Sequence, residues 1–284
     1  MEEKGRGTLL STRTVGQRSV AGSVISQLPF TSCLLSSLQE LHTGADEYLA
    51  RFLHSCYFNL EKAKKALDSY MKLKTKAPEL FSNRNLDGEQ MQKNIENCYL
   101  GILPTTTSKG YSVIWGRLMT PDSSKFSTEE GLKAMYLTVD RLLLERKGCP
   151  GIIFVYDTDN FTIRHIFKTA ISTIRNYFEY IQEAVPMRHK TIHLINVGSI
   201  TTYLMAAIRP FVYKEHLKKI HFHPSNNIDG LLEDIPKEQI PSDYGGCGPS
   251  LRKISDDNCN SIRSHSDWFK FDETLKMKDM KKFK

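Results

Sequence analysis

Gly151-Ile-Ile-Phe-Val-Tyr156 and, further on, Thr191-Ile-His-Leu-Ile-Asn-Val197 decide the fold. Both are short, nearly continuous apolar runs rich in β-branched and aromatic residues, the pattern of strands covered on both faces. Between them Ile163, Ile166, Phe167, Ala170, Ile171, Ile174, Tyr177, Phe178 and Ile181 fall in one helical stripe, with Lys168, Arg175 and Glu179 opposite. That periodicity predicts one long amphipathic helix. After the second run comes a predicted helix over Ser199 to Val212, then a short strand, Lys219-Ile-His-Phe-His223. Strand, helix, strand, helix, strand implies a mostly parallel sheet with right-handed crossovers.

Working back toward the amino terminus, Ser127-Thr-Glu-Glu130 has the form of a capping box. It opens a helix carrying Leu132, Met135, Tyr136, Val139, Leu142 and Leu143 on one side and stopped by Lys147-Gly-Cys-Pro150. Tyr111-Ser-Val-Ile-Trp-Gly-Arg117 reads as another strand. Tyr48, Leu49, Phe52 and Leu53, then Ala63, Ala66, Leu67, Tyr70 and Met71, predict short helices between about 43 and 83. Residues 1–40, rich in Ser, Thr, Gly and Arg, are expected to be a flexible leader, and 266–284 a basic tail. The remainder divides into an all-helical domain at 41–95 and an α/β domain at 96–265.

The 284 residues carry a formal charge of +7 and six dispersed cysteines without a CxxC pair. Reduced thiols are expected, and neither a zinc knuckle nor a dithiol redox centre is indicated. No run approaches the ~18 apolar residues of a membrane span, so the chain is read as cytoplasmic, with peripheral and transient membrane association; a monomer is expected. The positive charge suits an anionic membrane surface. Nucleic acid is disfavoured, because the aromatics fall on apolar faces instead of interleaving with basic residues.

Nucleotide-binding glycine loops, nucleophile elbows and HExxH pairs are all missing from the sequence. Asp157 and Asp159 could form an acid–base pair but equally cap the helix that follows them. His221 and His223 share a strand face and, with His216, are the raw material for a metal hydrolase. Ile200, Tyr203, Leu204, Ala207, Ile208 and Phe211 form one apolar face, which fits either plain packing on the sheet or a lid over a cavity. Arg209-Pro210 would loosen its last turn.

Several segments together resemble the CRAL-TRIO family over about 45 to 270, most closely the branch of the α-tocopherol transfer and retinaldehyde-binding proteins. They are Asp46-Glu-Tyr-Leu-Ala-Arg-Phe-Leu53 with Asn59-Leu-Glu-Lys-Ala63, then Ile192-His-Leu-Ile-Asn196, Arg209-Pro-Phe211, Lys219-Ile-His221 and Ile240-Pro-Ser-Asp-Tyr-Gly-Gly246. The resemblance implies an α/β lipid-binding domain of the CRAL-TRIO type, its mostly parallel sheet flanked by helices and closed by a lid helix, behind a small all-helical domain. It implies a non-enzymatic carrier of a tocopherol, retinoid or related lipid, without a cofactor. The candidate pocket residues are Phe154, Tyr156, Phe161, Phe167, Ile171, Ile174, Leu194, Ile200, Tyr203, Leu204, Ala207, Ile208 and Phe211.

The same resemblance implies phosphoinositide contacts at Arg188, Lys190 and Lys219, with Lys214 and Lys218 adjoining. Other basic positions of the family are His54, Cys56 and Glu215 here. The family's glycine after the second strand is Asn160, expected to accept a left-handed turn. Its proline ahead of the lid is Gly198. An alternative within the same fold is a phosphoinositide-sensing adaptor whose pocket is filled.

Overall fold

The computed structural model describes residues 45–225 and 227–274. The leader expected at 1–40 and most of the basic tail lie outside the described residues. Helices α1 (Ala45–Ser55), α2 (Leu60–Lys76), α3 (Pro78–Phe81) and α4 (Glu89–Asn97) precede β1 (Cys98–Ile102) and β2 (Ser112–Leu118). Then come α5 (Thr128–Glu145), β3 (Ile152–Asp157), α6 (Ile163–Lys168), α7 (Ile171–Glu179), β4 (His189–Val197) and α8 (Ile200–Ile208). Finally α9 (Lys214–Leu217), β5 (Ile220–Pro224), α10 (Leu251–Ser264) and α11 (Ser266–Thr274) complete the described chain.

The five strands lie in sequence order in one mixed sheet, β1 antiparallel to β2 and the other neighbours parallel. Strand alternation assigns each face its own core. Val113, Trp115, Ile153, Val155 and Ile195 pack against α10 and the segment Leu231–Ile240. Ile114, Ile152 and Phe154 face the other way, toward α5 and the amino-terminal helices.

A buried ionic junction ties the last helix to the first ones. Asp272 of α11 lies 2.9 Å from Lys74 and 2.8 Å from Arg84, and Arg84 also pairs with Asp140 of α5. Each of these charges is compensated, which is what makes their burial tolerable; removing one partner would strand the others.

Three local expectations change. The stripe from Ile163 to Ile181 is two helices, because Ala170, between α6 and α7, adopts an extended backbone (φ −64°, ψ 140°), and α7 ends in a π-helical turn at Tyr180–Ala184. A shared apolar face therefore does not make one helix. Only half of the capping box forms: the Ser127 hydroxyl accepts from the Glu130 amide, while the Glu130 carboxylate pairs with Lys133 at 3.0 Å. The left-handed residue near the sheet's carboxyl edge is Asn196 (φ 54°), not Asn160, whose side chain donates to the Leu118 carbonyl.

Candidate functional site

The site lies on the sheet face that bears Phe154 and Tyr156. Their rings stack at 5.9 Å, and His189 stands 5.5 Å from Phe154. Leu194, the parallel partner of Tyr156, continues that floor. Helix α7 closes one side, the Tyr177 hydroxyl lying 3.4 Å from that of Tyr156. Burial drives both phenols upward, Tyr177 to about 12, so both stay neutral. Burial also lowers His189 to about 3, helped by Lys219 and His216, and holds its imidazole uncharged.

Helix α8, Ile-Thr-Thr-Tyr-Leu-Met-Ala-Ala-Ile, contains no charged residue and yet none of its residues is buried. Ile200, Leu204, Ala207, Ile208 and Phe211, which share one face, all stay partly accessible. A helix packed flat on a sheet buries that face, and this one does not. The α-helix ends at Ile208 and continues as a 3-10 turn through Arg209-Pro210-Phe211. Gln182 holds that end, donating to the Phe211 carbonyl at 3.0 Å and accepting from the Tyr213 amide at 2.7 Å. At the other end Gly198 has open space where a side chain would stand. One end of the helix is tied by a side chain, and the other follows a glycine.

The candidate pocket residues divide. Phe154, Tyr156 and Leu194 lie on the floor, with Ile174 on α7 and Ile200, Leu204, Ala207, Ile208 and Phe211 on α8. Phe161 stacks on His165 at the start of α6. Phe167, Ile171 and Tyr203 are placed differently from the expectation: they are 80%, 65% and 56% exposed and stand on the outer surface. The helix break displaces the first two, since α6 and α7 no longer share one stripe. Sequence reasoning missed Tyr177 and Ile192, although the stripe that yields Ile174 contains the former and the alternation that yields Leu194 contains the latter.

The five basic candidates differ in their surroundings. Arg188 donates to the His54 carbonyl and covers the Tyr57 ring at 3.9 Å. Lys190 lies 5.0 Å from the Tyr111 ring, and Lys219 donates to the His189 carbonyl at 3.2 Å. Lys214 and Lys218 are exposed.

Rival constellations acquire structural roles. Asp157 accepts from Tyr244, Asn196 and the Asp159 amide, a carboxylate engaged in holding loops together. His216 pairs with His189 at 6.2 Å, whereas His221 and His223 flank His193 on the opposite face. Among the described residues no three His, Cys, Asp or Glu side chains are grouped to hold a metal.

A family model described as CRAL/TRIO domain matches residues 96–246, just over half of the 284. The chain belongs to the CRAL/TRIO domain family. A second model, Pinta-like, UBA domain, matches residues 35–91. Among curated proteins, the chain is 26% identical over 211 residues to the Alpha-tocopherol transfer protein-like protein of Mus musculus, covering 74% of this chain and 61% of that one. Clavesin-1 of Xenopus laevis is 25% identical over 205 residues, 72% of this chain and 61% of its own. The chain thus spans about three fifths of the length of these relatives. The crystal structure of Sfh5 shares the CRAL/TRIO chain's fold with a TM-score of 0.53 at 13% identity, covering 84% of this chain and 91% of that one. Among the described residues no helix is long and apolar enough to cross a membrane.

Proposed function

We propose that this protein is a non-enzymatic carrier that takes one hydrophobic molecule, a tocopherol, retinoid or related lipid, into the space between its sheet and α8. The observation that carries this reading is α8 itself, an uncharged apolar helix with no buried residue, which follows the strand whose Leu194 lies beside Tyr156. A ligand lying against α8 removes that helix's accessible apolar surface from water, at about 25 cal/mol per Å². Family membership and relatives named for tocopherol transfer support it. Loading requires the helix to open, and the tie at Gln182 with the open space at Gly198 suits that motion. Phe167, Ile171 and Tyr203, exposed on the outside of the same assembly, suit contact with the membrane where exchange takes place.

Native mass spectrometry with organic extraction tests the proposal. One hydrophobic compound is expected per chain, lost in an Ile208→Trp variant that fills the space. A protein that takes up nothing from a broad lipid panel overturns it.

A second reading, a phosphoinositide-sensing adaptor with a filled interior, draws on the packing nearer α5. There Tyr136 and Tyr180 lie with ring centroids 3.9 Å apart and Phe81 stands against both. Lys190, Lys214, Lys218 and Lys219 would serve such a head group as point charges. An empty protein that binds phosphoinositide vesicles selects this reading.

A further inference from the structure

The turn between α1 and α2 exposes two large rings at a conformational cost. Tyr57 and Phe58 both have left-handed backbones, φ 54° and 61°, and are 68% and 54% exposed. The Phe58 amide donates to the Leu53 carbonyl and the Tyr57 amide to that of His54, closing α1 with a motif whose left-handed position is ordinarily glycine. Left-handed backbone in a residue with a Cβ costs about 1–2 kcal/mol. Here the rings return little of that through core burial.

The surroundings indicate what would cover them. Arg188 stacks on the Tyr57 ring at 3.9 Å and donates to the His54 carbonyl, which fixes the turn from beneath. Lys62 is exposed in the first turn of α2, four residues after Phe58, and Lys65, also exposed, lines a groove with Glu61, Asp68, Glu179 and Glu183. Aromatic rings bordered by cations match the interface of an anionic bilayer: rings partition at the depth of the head groups while lysines remain among the phosphates.

We propose that the α1–α2 turn is a membrane anchor, in which Tyr57 and Phe58 enter the interface of an anionic bilayer and Arg188 positions the turn instead of coordinating a head group. This rests on the membrane-exchange part of the carrier reading. It adds a second membrane contact to the one proposed at Phe167, Ile171 and Tyr203.

The test is sedimentation of the full chain with phosphatidylcholine vesicles, with and without phosphatidylserine, comparing the natural protein with a Tyr57→Gly, Phe58→Gly variant. Glycine accepts left-handed backbone, so this variant should be at least as stable in urea as the natural protein. Its partitioning onto phosphatidylserine vesicles should fall about tenfold or more, given the apolar area removed. Unchanged partitioning overturns the proposal. Should the variant unfold, a Tyr57→Trp protein decides instead: quenching of its tryptophan beyond that of the natural protein by brominated lipid is expected, and none would overturn the anchor. Ligand extraction from the glycine variant separates the two ideas, because a failed carrier is empty in both proteins whereas a failed anchor leaves extraction and vesicle binding intact.

Discussion

Against one face of the sheet, α10 and the Leu231–Ile240 segment bury Val113, Trp115, Val155, Ile195 and Ile254 almost completely. On the other, Ile114, Ile152 and Phe154 are buried as well, yet α8 buries no residue of its own. Composition does not separate the two regions, for α8 is the more uniformly apolar element. What differs is how the covering elements are fixed. α10 meets Gly101 so closely that a Cβ there would stand 2.7 Å from the Ile254 carbonyl oxygen, and the Ser255 hydroxyl and Asn258 side chain bond to β1 besides. α8 follows Gly198 and is held at its far end by Gln182. A tightly covered face and a loosely covered helix are built from the same residue types by changing the number and direction of the ties.

The strongest way to break the closed face is Trp115→Ala. The indole is fully buried, 4.8 Å from the Tyr244 ring, so its removal leaves a cavity. A loss of about 3–5 kcal/mol is expected, read as a lower urea midpoint. A loss below about 1 kcal/mol would mean that this face can collapse and is no more rigid than the lid.

The next test uses protons. His193, on the closed face, touches His223 at 2.9 Å and His221 at a ring distance of 5.3 Å, with Asp234 3.5 Å from its other nitrogen and Lys109 on that carboxylate. Burial, then the neighbouring His223, lowers it to about 4 from 6.5. The folded state therefore refuses a proton that the unfolded chain accepts. Stability is undiminished above pH 6.5 and declines as the pH falls toward 4, by about 3 kcal/mol over the whole shift. Urea titrations across that window should show the decline, and His193→Asn should flatten it. An equally steep profile in the variant would move the effect to other groups, with His189 the first to examine.

The central strands were legible because strands announce themselves through alternation and buried runs, as in Ile152–Tyr156 and Ile192–Asn196. The apolar face of α8 was legible for the same reason: i, i+4, i+7 and i+8 spacing places Ile200, Leu204, Ala207 and Ile208 together. What periodicity could not supply was the extended backbone at Ala170, which turned Phe167 and Ile171 outward. Nor could it supply the direction of long basic side chains. Arg188 and Lys190 are two residues apart, yet one leans on Tyr57 and the other toward Tyr111. Tyr57 and Phe58 escaped because nothing in a Tyr-Phe pair signals left-handed backbone, for which glycine or asparagine is the usual mark.

The smallest expected effect on stability is the most informative about the open face. Leu204→Ala removes a side chain of the same size as those whose loss from a tight core costs 2–5 kcal/mol. Leu204, though, is only partly covered, and its neighbours on α8 are no better packed. Without ligand the variant should lose less than about 1 kcal/mol in urea, because little transfer energy and no closed cavity are at stake. With ligand the same atoms bury against it, so the cost should appear as weaker retention, about tenfold for each 1.4 kcal/mol of lost contact. The two measurements together distinguish a lid from a packed helix. A lid moves its energetic cost from folding to binding, whereas a packed helix pays it in folding and leaves retention unchanged.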